Sequence, residues 1–281
     1  MPKFDPEHYL PVESYVEALA AFHAICGIIL FEFAHQERSN RDVIIRNFIA
    51  RTDMMVRAVF RLWELQDYQD CWILHRCLLD RLFHLSHLQE HDQFEVFEAW
   101  SFLEQYNALN RVRSAPEFSD APEGKAFIPT LKQKERARAL SKNPPVWQRP
   151  RAEEVAKRLN MRFLYSLGYD FGSTHVHPMA NDGEQDFFTI TKLEPAPEFS
   201  DQRSALSNTL LVGTMVVQQG LNASTLSWRA LVYDFLDDLH RFLDTGSEDY
   251  RLSFVKLGRL IDQGVRLYKR QGSISNERDA V

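Results

Sequence analysis

Chemistry in this chain concentrates on two short stretches. The first is His75-Arg76-Cys77-Leu78-Leu79-Asp80-Arg81-Leu82-Phe83-His84-Leu85-Ser86-His87. On a helix Arg76 and Asp80 stand one turn apart, His84 continues their line, and His87 falls close to it. A guanidinium, a carboxylate and two imidazoles on one face of a leucine-rich helix make an acid–base and anion-binding set. Arginine neutralises a developing oxyanion, and histidine moves a proton near neutral pH. Turned inward, these charges need partners, because a lone buried charge is expensive. Turned to water, they are a solvated stripe with one helix ion pair worth about a few tenths of a kcal/mol.

The second stretch is Ser173-Thr174-His175-Val176-His177-Pro178. Two histidines in an i,i+2 pair beside hydroxyls can anchor a polar ligand or shuttle a proton. The same spacing can ligate a metal with Asp182, Glu184 or Asp186, but no second His/Cys cluster completes a site, so no metal or other cofactor is expected. A plainer role for His175 or His177 is to cap a helix C-terminus. The polar face of the first stretch, if buried, calls for Arg76, Asp80 and His175 or His177 to converge across about a hundred residues.

A third feature is charge. Between Lys132 and Arg158 lie nine cationic residues, among them Lys132, Lys134, Arg136 and Arg138, against three acidic ones. Trp147 sits among them and could stack on a base, so the segment reads either as a nucleic-acid contact or as a solvated insertion. The acidic counterweight is Asp234, Asp237, Asp238, Asp244, Glu248 and Asp249.

The elements that must hold these residues are helical. Apolar residues recur at helical spacing over 11–36, 41–66, 70–89 and 94–112, with short links that imply antiparallel neighbours. The second of these also carries a basic stripe, Arg46, Arg51, Arg57 and Arg61. Residues 114–150 form a loop-rich basic insertion containing a short helix at 131–140. Helix resumes over 152–168, 206–243 (with a break near Asn222) and 250–269, and 271–281 reads as a frayed tail. The β-branched and aromatic run at 187–191 leaves room for one small β-hairpin. The expected architecture is one all-α domain over 1–281, an antiparallel helical bundle.

Composition narrows the function classes. The 281 residues carry 33 Lys+Arg against 39 Asp+Glu, net −6, which disfavours a globally basic nucleic-acid binder but allows a local patch. Twenty Phe, nine Tyr and five Trp are ample for a core. Cys26, Cys71 and Cys77 have no framework spacing and read as reduced thiols of a cytoplasmic protein. The most apolar stretch, 18–31, is shorter than the roughly 20 residues of a membrane span, so no membrane partner is expected. No Walker loop, dinucleotide fingerprint, nucleophile elbow or HExxH occurs.

The Arg76-Cys77-Leu78-Leu79-Asp80 helix with a distant Ser-x-His/His-Pro element resembles an uncharacterised family of bacterial helical proteins, over about Arg41 to Pro178. That family's signature is an Arg-x-Leu-x-acid helix followed by a histidine about a hundred residues on, and its usual acid is Glu where this chain has Asp80. The family in turn is similar to the HEPN superfamily of helical bundles, many of them metal-independent ribonucleases with an Arg-x4–6-His motif at a dimer interface. Arg81 to His87 fits that spacing, with Leu82 where a polar residue is usual. The resemblance implies a ribonuclease or toxin in bacterial stress or phage defence, RNA as partner and a homodimer. The rival expectation is a non-catalytic helical module that binds a protein or small ligand through an Arg76/His175 pocket.

Overall fold

Three of the helix-to-helix links are built alike. Gln66, Asp92 and Asn160 each take a positive φ (63°, 48° and 57°), so the chain reverses within a few residues of a helix end. Short links of this kind are the usual connection between antiparallel neighbours. The structure is a computed structural model that describes residues 9–35, 39–115, 128–176, 180, 183–193 and 202–261.

In chain order the helices are α1 (Val12–His35), α2 (Asn40–Glu64), α3 (Tyr68–Glu90), α4 (Phe94–Ser114), α5 (Leu131–Lys142) and α6 (Ala152–Arg158). Next comes α7, a continuous helical segment made of Arg162–Leu164, a π-helical stretch Tyr165–Asp170, and Phe171–Thr174. Then follow α8 (Glu184–Thr191), α9 (Arg203–Ala223), α10 (Arg229–Thr245) and α11, described over 250–261. The α2 and α3 starts are capped by Ser39 and Asp67, and α5 by a Thr130/Gln133 capping box.

Helices α1, α2, α3 and α9 share the core. Tyr15, Phe22, Ile25 and Ile29 of α1 meet Ile45, Ile49 and Val56 of α2, Leu78 and Leu82 of α3, and Leu210 and Val217 of α9 in one cluster. At Gly213 and Gly220, α9 lies so close to α2 that an added Cβ would come within 2.8 Å of Val56 and 3.2 Å of Ile45. α1 is long and apolar enough to cross a membrane by length and composition, with mean hydropathy 1.8. In this fold one face of it is sealed into the core, while Val16 and Phe31 are exposed.

The all-helical architecture agrees with the sequence pattern, and no strand occurs among the described residues. The hairpin allowed at 187–191 is instead part of α8, begun by Gly183 (φ 77°) and stopped at Lys192 (φ 55°). Backbone reversals at both ends fit one helical turn after another, and they outweigh the strand preference of the residues between. The helix expected over 152–168 is interrupted at Leu159–Met161, where Asn160 takes the left-handed conformation. The long C-terminal helix breaks after Ala223, next to the expected Asn222. The expected tail at 271–281 lies outside the described residues.

Candidate functional site

The polar face of α3 is half-buried and covered by two segments. From one side α7 reaches it through a pair of glycines. A Cβ at Gly172 would stand 2.9 Å from both Arg76 Cβ and the Trp72 carbonyl oxygen, and one at Gly168 would stand 2.8 Å from His75 Nε2 and 2.6 Å from Leu79 Cδ1. At Gly172, where the atom met is main chain, only glycine permits this approach. It places Ser173 and Tyr169 on Arg76: Arg76 Nε donates to Ser173 Oγ at 2.7 Å, and Arg76 Nη2 donates to the Tyr169 hydroxyl at 3.3 Å. The guanidinium also lies 4.6 Å from the centre of the Tyr169 ring. Ser173 in turn donates to the Tyr169 carbonyl oxygen at 2.7 Å. The π-helical stretch that carries Tyr169 is a form often found at functional sites.

From the other side the extended chain between α5 and α6 crosses the same face. Arg149 Nη2 pairs with Asp80 Oδ1 at 2.7 Å, and Arg76 Nη1 approaches Asp80 Oδ2 at 3.5 Å. Asp80 thus sits between two guanidiniums. The Arg76 and Asp80 side chains are 19% and 16% exposed, Arg149 57%, so the network opens to water on the Arg149 side. The bond to Asp80 raises the Arg149 pKa, whereas burial raises that of Tyr169 and keeps its hydroxyl protonated. His84 lies one turn beyond Asp80 on the same helix. Burial pushes its pKa down to about 4, Asp80 opposing the shift and Arg149 adding to it, so at neutral pH it is an uncharged imidazole.

The structure therefore assembles Arg76 and Asp80 as the polar-stripe argument expects, but with Tyr169, Ser173 and Arg149 as their contacts. His175 follows Ser173 by two residues and packs on Phe171, ring centres 4.9 Å apart, with Phe171 on Trp72 of α3. His177 lies outside the described residues. Arg81 and His87 leave α3 in different directions, about 120° apart. Arg81 reaches Phe48 and Met55 of α2, while the His87 ring lies against His91, 4.4 Å between centres. Burial first, then His91 and Arg158, lower the His87 pKa.

The expectation for Trp147 needs correction. Its ring is 8% exposed and lies 4.8 Å from Phe97, 4.6 Å from Trp100 and 5.8 Å from His84, centre to centre. It has no free face for a base, because its apolar area is already buried against α3 and α4. On α5, Lys132, Arg136 and Arg138 are exposed and Lys134 is half-buried. Arg136 is taken up by an ion pair with Glu98 and by the Phe102 ring at 4.3 Å. Among the described residues no group of three His, Cys, Asp or Glu is placed to hold a metal ion.

Tyr169 and Arg149 were missed because nothing in their neighbourhood marks them as polar ligands of α3. The Gly168-x-x-x-Gly172 spacing was a usable signal, since two glycines one turn apart allow a helix to touch its neighbour's backbone.

Residues 42–190 match a family of unknown function, DUF5677. The chain belongs to this family. The matched region runs from the start of α2 into α8, so it holds every residue of the α3 site. No curated protein and no solved structure matches the chain.

Proposed function

We propose that the polar face of α3 cleaves RNA without a metal, as in HEPN-like nucleases. The observation that carries this reading is the meeting of Arg76 and Arg149 on Asp80 beside His84, an imidazole that is neutral at physiological pH. In the reaction His84 accepts the proton of a ribose 2′-hydroxyl as its oxygen attacks the adjacent phosphorus. Arg149 and Arg76 face the non-bridging oxygens and stabilise their developing charge. The 5′-oxygen leaves with a proton from the Tyr169 hydroxyl, giving a 2′,3′-cyclic phosphate and a free 5′-hydroxyl. Asp80 positions both guanidiniums. The reading includes the cytoplasmic, RNA-directed role and the homodimer that the family resemblance implies.

A second reading rests on a different observation. The donors of Arg76 are engaged by Asp80, Ser173 and Tyr169, a satisfied network of the kind that also builds a rigid, non-catalytic binding module. Incubation of the purified protein with total RNA, with and without EDTA, separates the two. The nuclease reading expects cleavage that EDTA leaves unchanged, ends in cyclic phosphate, and falls at least about 100-fold in His84→Ala. Intact RNA after prolonged incubation would sink it and leave the binding module.

A further inference from the structure

The exposed side of α2 carries a charge pattern that the α3 site does not use. The helix has five arginines and no lysine, and its acids are Asp42, Asp53 and Glu64. Two of those acids are turned inward. Asp42 accepts from Ser39 and Thr225, and Asp53 takes the His23 ring nitrogen at 2.9 Å. Arg41 pairs with Asp92. Arg46, Arg51, Arg57 and Arg61 have no carboxylate partner among the described residues; Arg46 meets only the Asn47 side chain and Arg57 the Met54 sulfur. In a chain of net charge −6 they form an unneutralised row about 22 Å long, spread over an arc of about 140° around Ala50, Met54 and Ala58.

A neighbouring helix adds to the row. Arg81 of α3 lies 5.6 Å from the Phe48 ring centre, and its Nε donates to the Met55 sulfur at 3.2 Å, a weak acceptor. Burial first, and then the charge of Arg51, lower its pKa, so the exposed Arg51 and the half-buried Arg81 repel each other. An anion lodged between them would relieve that repulsion and satisfy their donors. Arginine, unlike lysine, grips phosphate through two parallel N–H groups, and a row of arginines along a helix suits a chain of phosphates. A second copy of this protein fits the row poorly, because a two-fold contact would set arginine against arginine.

We propose that the α2 arginine row, anchored by Arg51 and Arg81, binds the phosphodiester backbone of single-stranded RNA. The identity of the polyanion rests on the nuclease reading; the site itself does not. The test uses a fluorescently labelled single-stranded RNA with 2′-O-methyl groups, which cannot be cleaved through the 2′-oxygen, and follows anisotropy across a salt series. The parent should bind with a steep salt dependence. Arg51→Gln/Arg61→Gln, at two exposed positions, should bind at least about tenfold more weakly at moderate salt and reduce the log–log slope by about 1.4. Arg81→Lys should weaken binding too, since it keeps the charge but loses the fork, and circular dichroism checks that each variant is folded. Binding that survives the α2 changes but is lost in Lys132→Gln/Lys134→Gln/Arg138→Gln would overturn the proposal in favour of α5. So would thermal stabilisation by inorganic phosphate with no RNA retained, displacement by polyglutamate as effective as by polyphosphate, or a two-chain mass that Arg51→Glu reduces to one. Tight, α2-dependent binding together with intact RNA in the cleavage assay would remove the nuclease reading and leave this one standing.

Discussion

Gly172 sets the distance between α7 and α3, and with it the contacts of Arg76. Its missing Cβ leaves room for a main-chain carbonyl, that of Trp72, whereas Gly168 faces the ends of the His75 and Leu79 side chains. Gly→Ala in a helix ordinarily gains up to about 1 kcal/mol. At Gly172 the overlap with backbone outweighs that gain, so Gly172→Ala should destabilise by about 1–3 kcal/mol, more than Gly168→Ala. Urea denaturation of the two variants makes the comparison, and equal stabilities would contradict it. A second residue-scale prediction concerns acid. His75 is fully buried, hydrogen-bonds Thr209 at 3.4 Å, and its pKa is pushed down by burial from the usual 6.5 to about 4. Below pH 6.5 the unfolded chain takes up this proton before the folded one, so the stabilisation is complete above that pH and is lost as pH falls toward 4. His75 alone should cost about 2 kcal/mol of stability between pH 7 and 5. Unfolding free energies that stay flat over this window would show that His75 is not a buried neutral base.

The extended segment between α5 and α6 behaves as a strap with two fasteners. Trp147 plugs an aromatic pocket of α3 and α4, and Arg149 follows two residues later on Asp80. The hydrophobic anchor supplies most of the energy and fixes the position of the ion pair. Trp147→Ala should therefore cost about 3–5 kcal/mol and release Arg149 from Asp80, whereas Arg149→Ala should cost less than about 1 kcal/mol. Thermal unfolding measures both costs, and hydrogen exchange at 143–151 should rise in Trp147→Ala alone. α5 is held differently, through Arg136 on Glu98 and Phe102. Arg136→Ala should leave global stability within about 1 kcal/mol of the parent while speeding exchange within Leu131–Lys142.

At the scale of the whole molecule, the family region holds only part of the core. Residues 42–190 include α2 and α3 but omit α1 and α9, which fill the other half of their core. Without α9, Ile45, Ile49 and Val56 lose the surface presented at Gly213 and Gly220, and without α1 they lose Phe22 and Ile25. A polypeptide of residues 42–190 should lack a cooperative unfolding transition, and residues 9–261 should keep one. A sharp transition for the shorter chain would show that the α2–α3 pair is stable by itself.

Periodicity alone carried much of this. Leucines and aromatics at helical spacing made α1 to α4 legible, because burying one face of a helix leaves a 3.6-residue signature. The i,i+4 relation of Arg76 and Asp80 was legible for the same reason, as was the line from them to His84. Other outcomes depended on contacts between segments far apart in the chain. Trp147 looks like a base-stacking residue in a basic stretch until α3 and α4 enclose it. Phe187–Thr191 looks like strand until the left-handed residues at Gly183 and Lys192 bound it as helix. Arg81 and His87 have the spacing of a motif, yet the helix sends one toward α2 and the other toward His91. Tyr169, Ser173 and Arg149 become ligands of the α3 face only because two glycines admit α7 and a buried tryptophan pins the strap. Local spacing fixes which residues share a helix face; the packing of distant segments determines what that face meets.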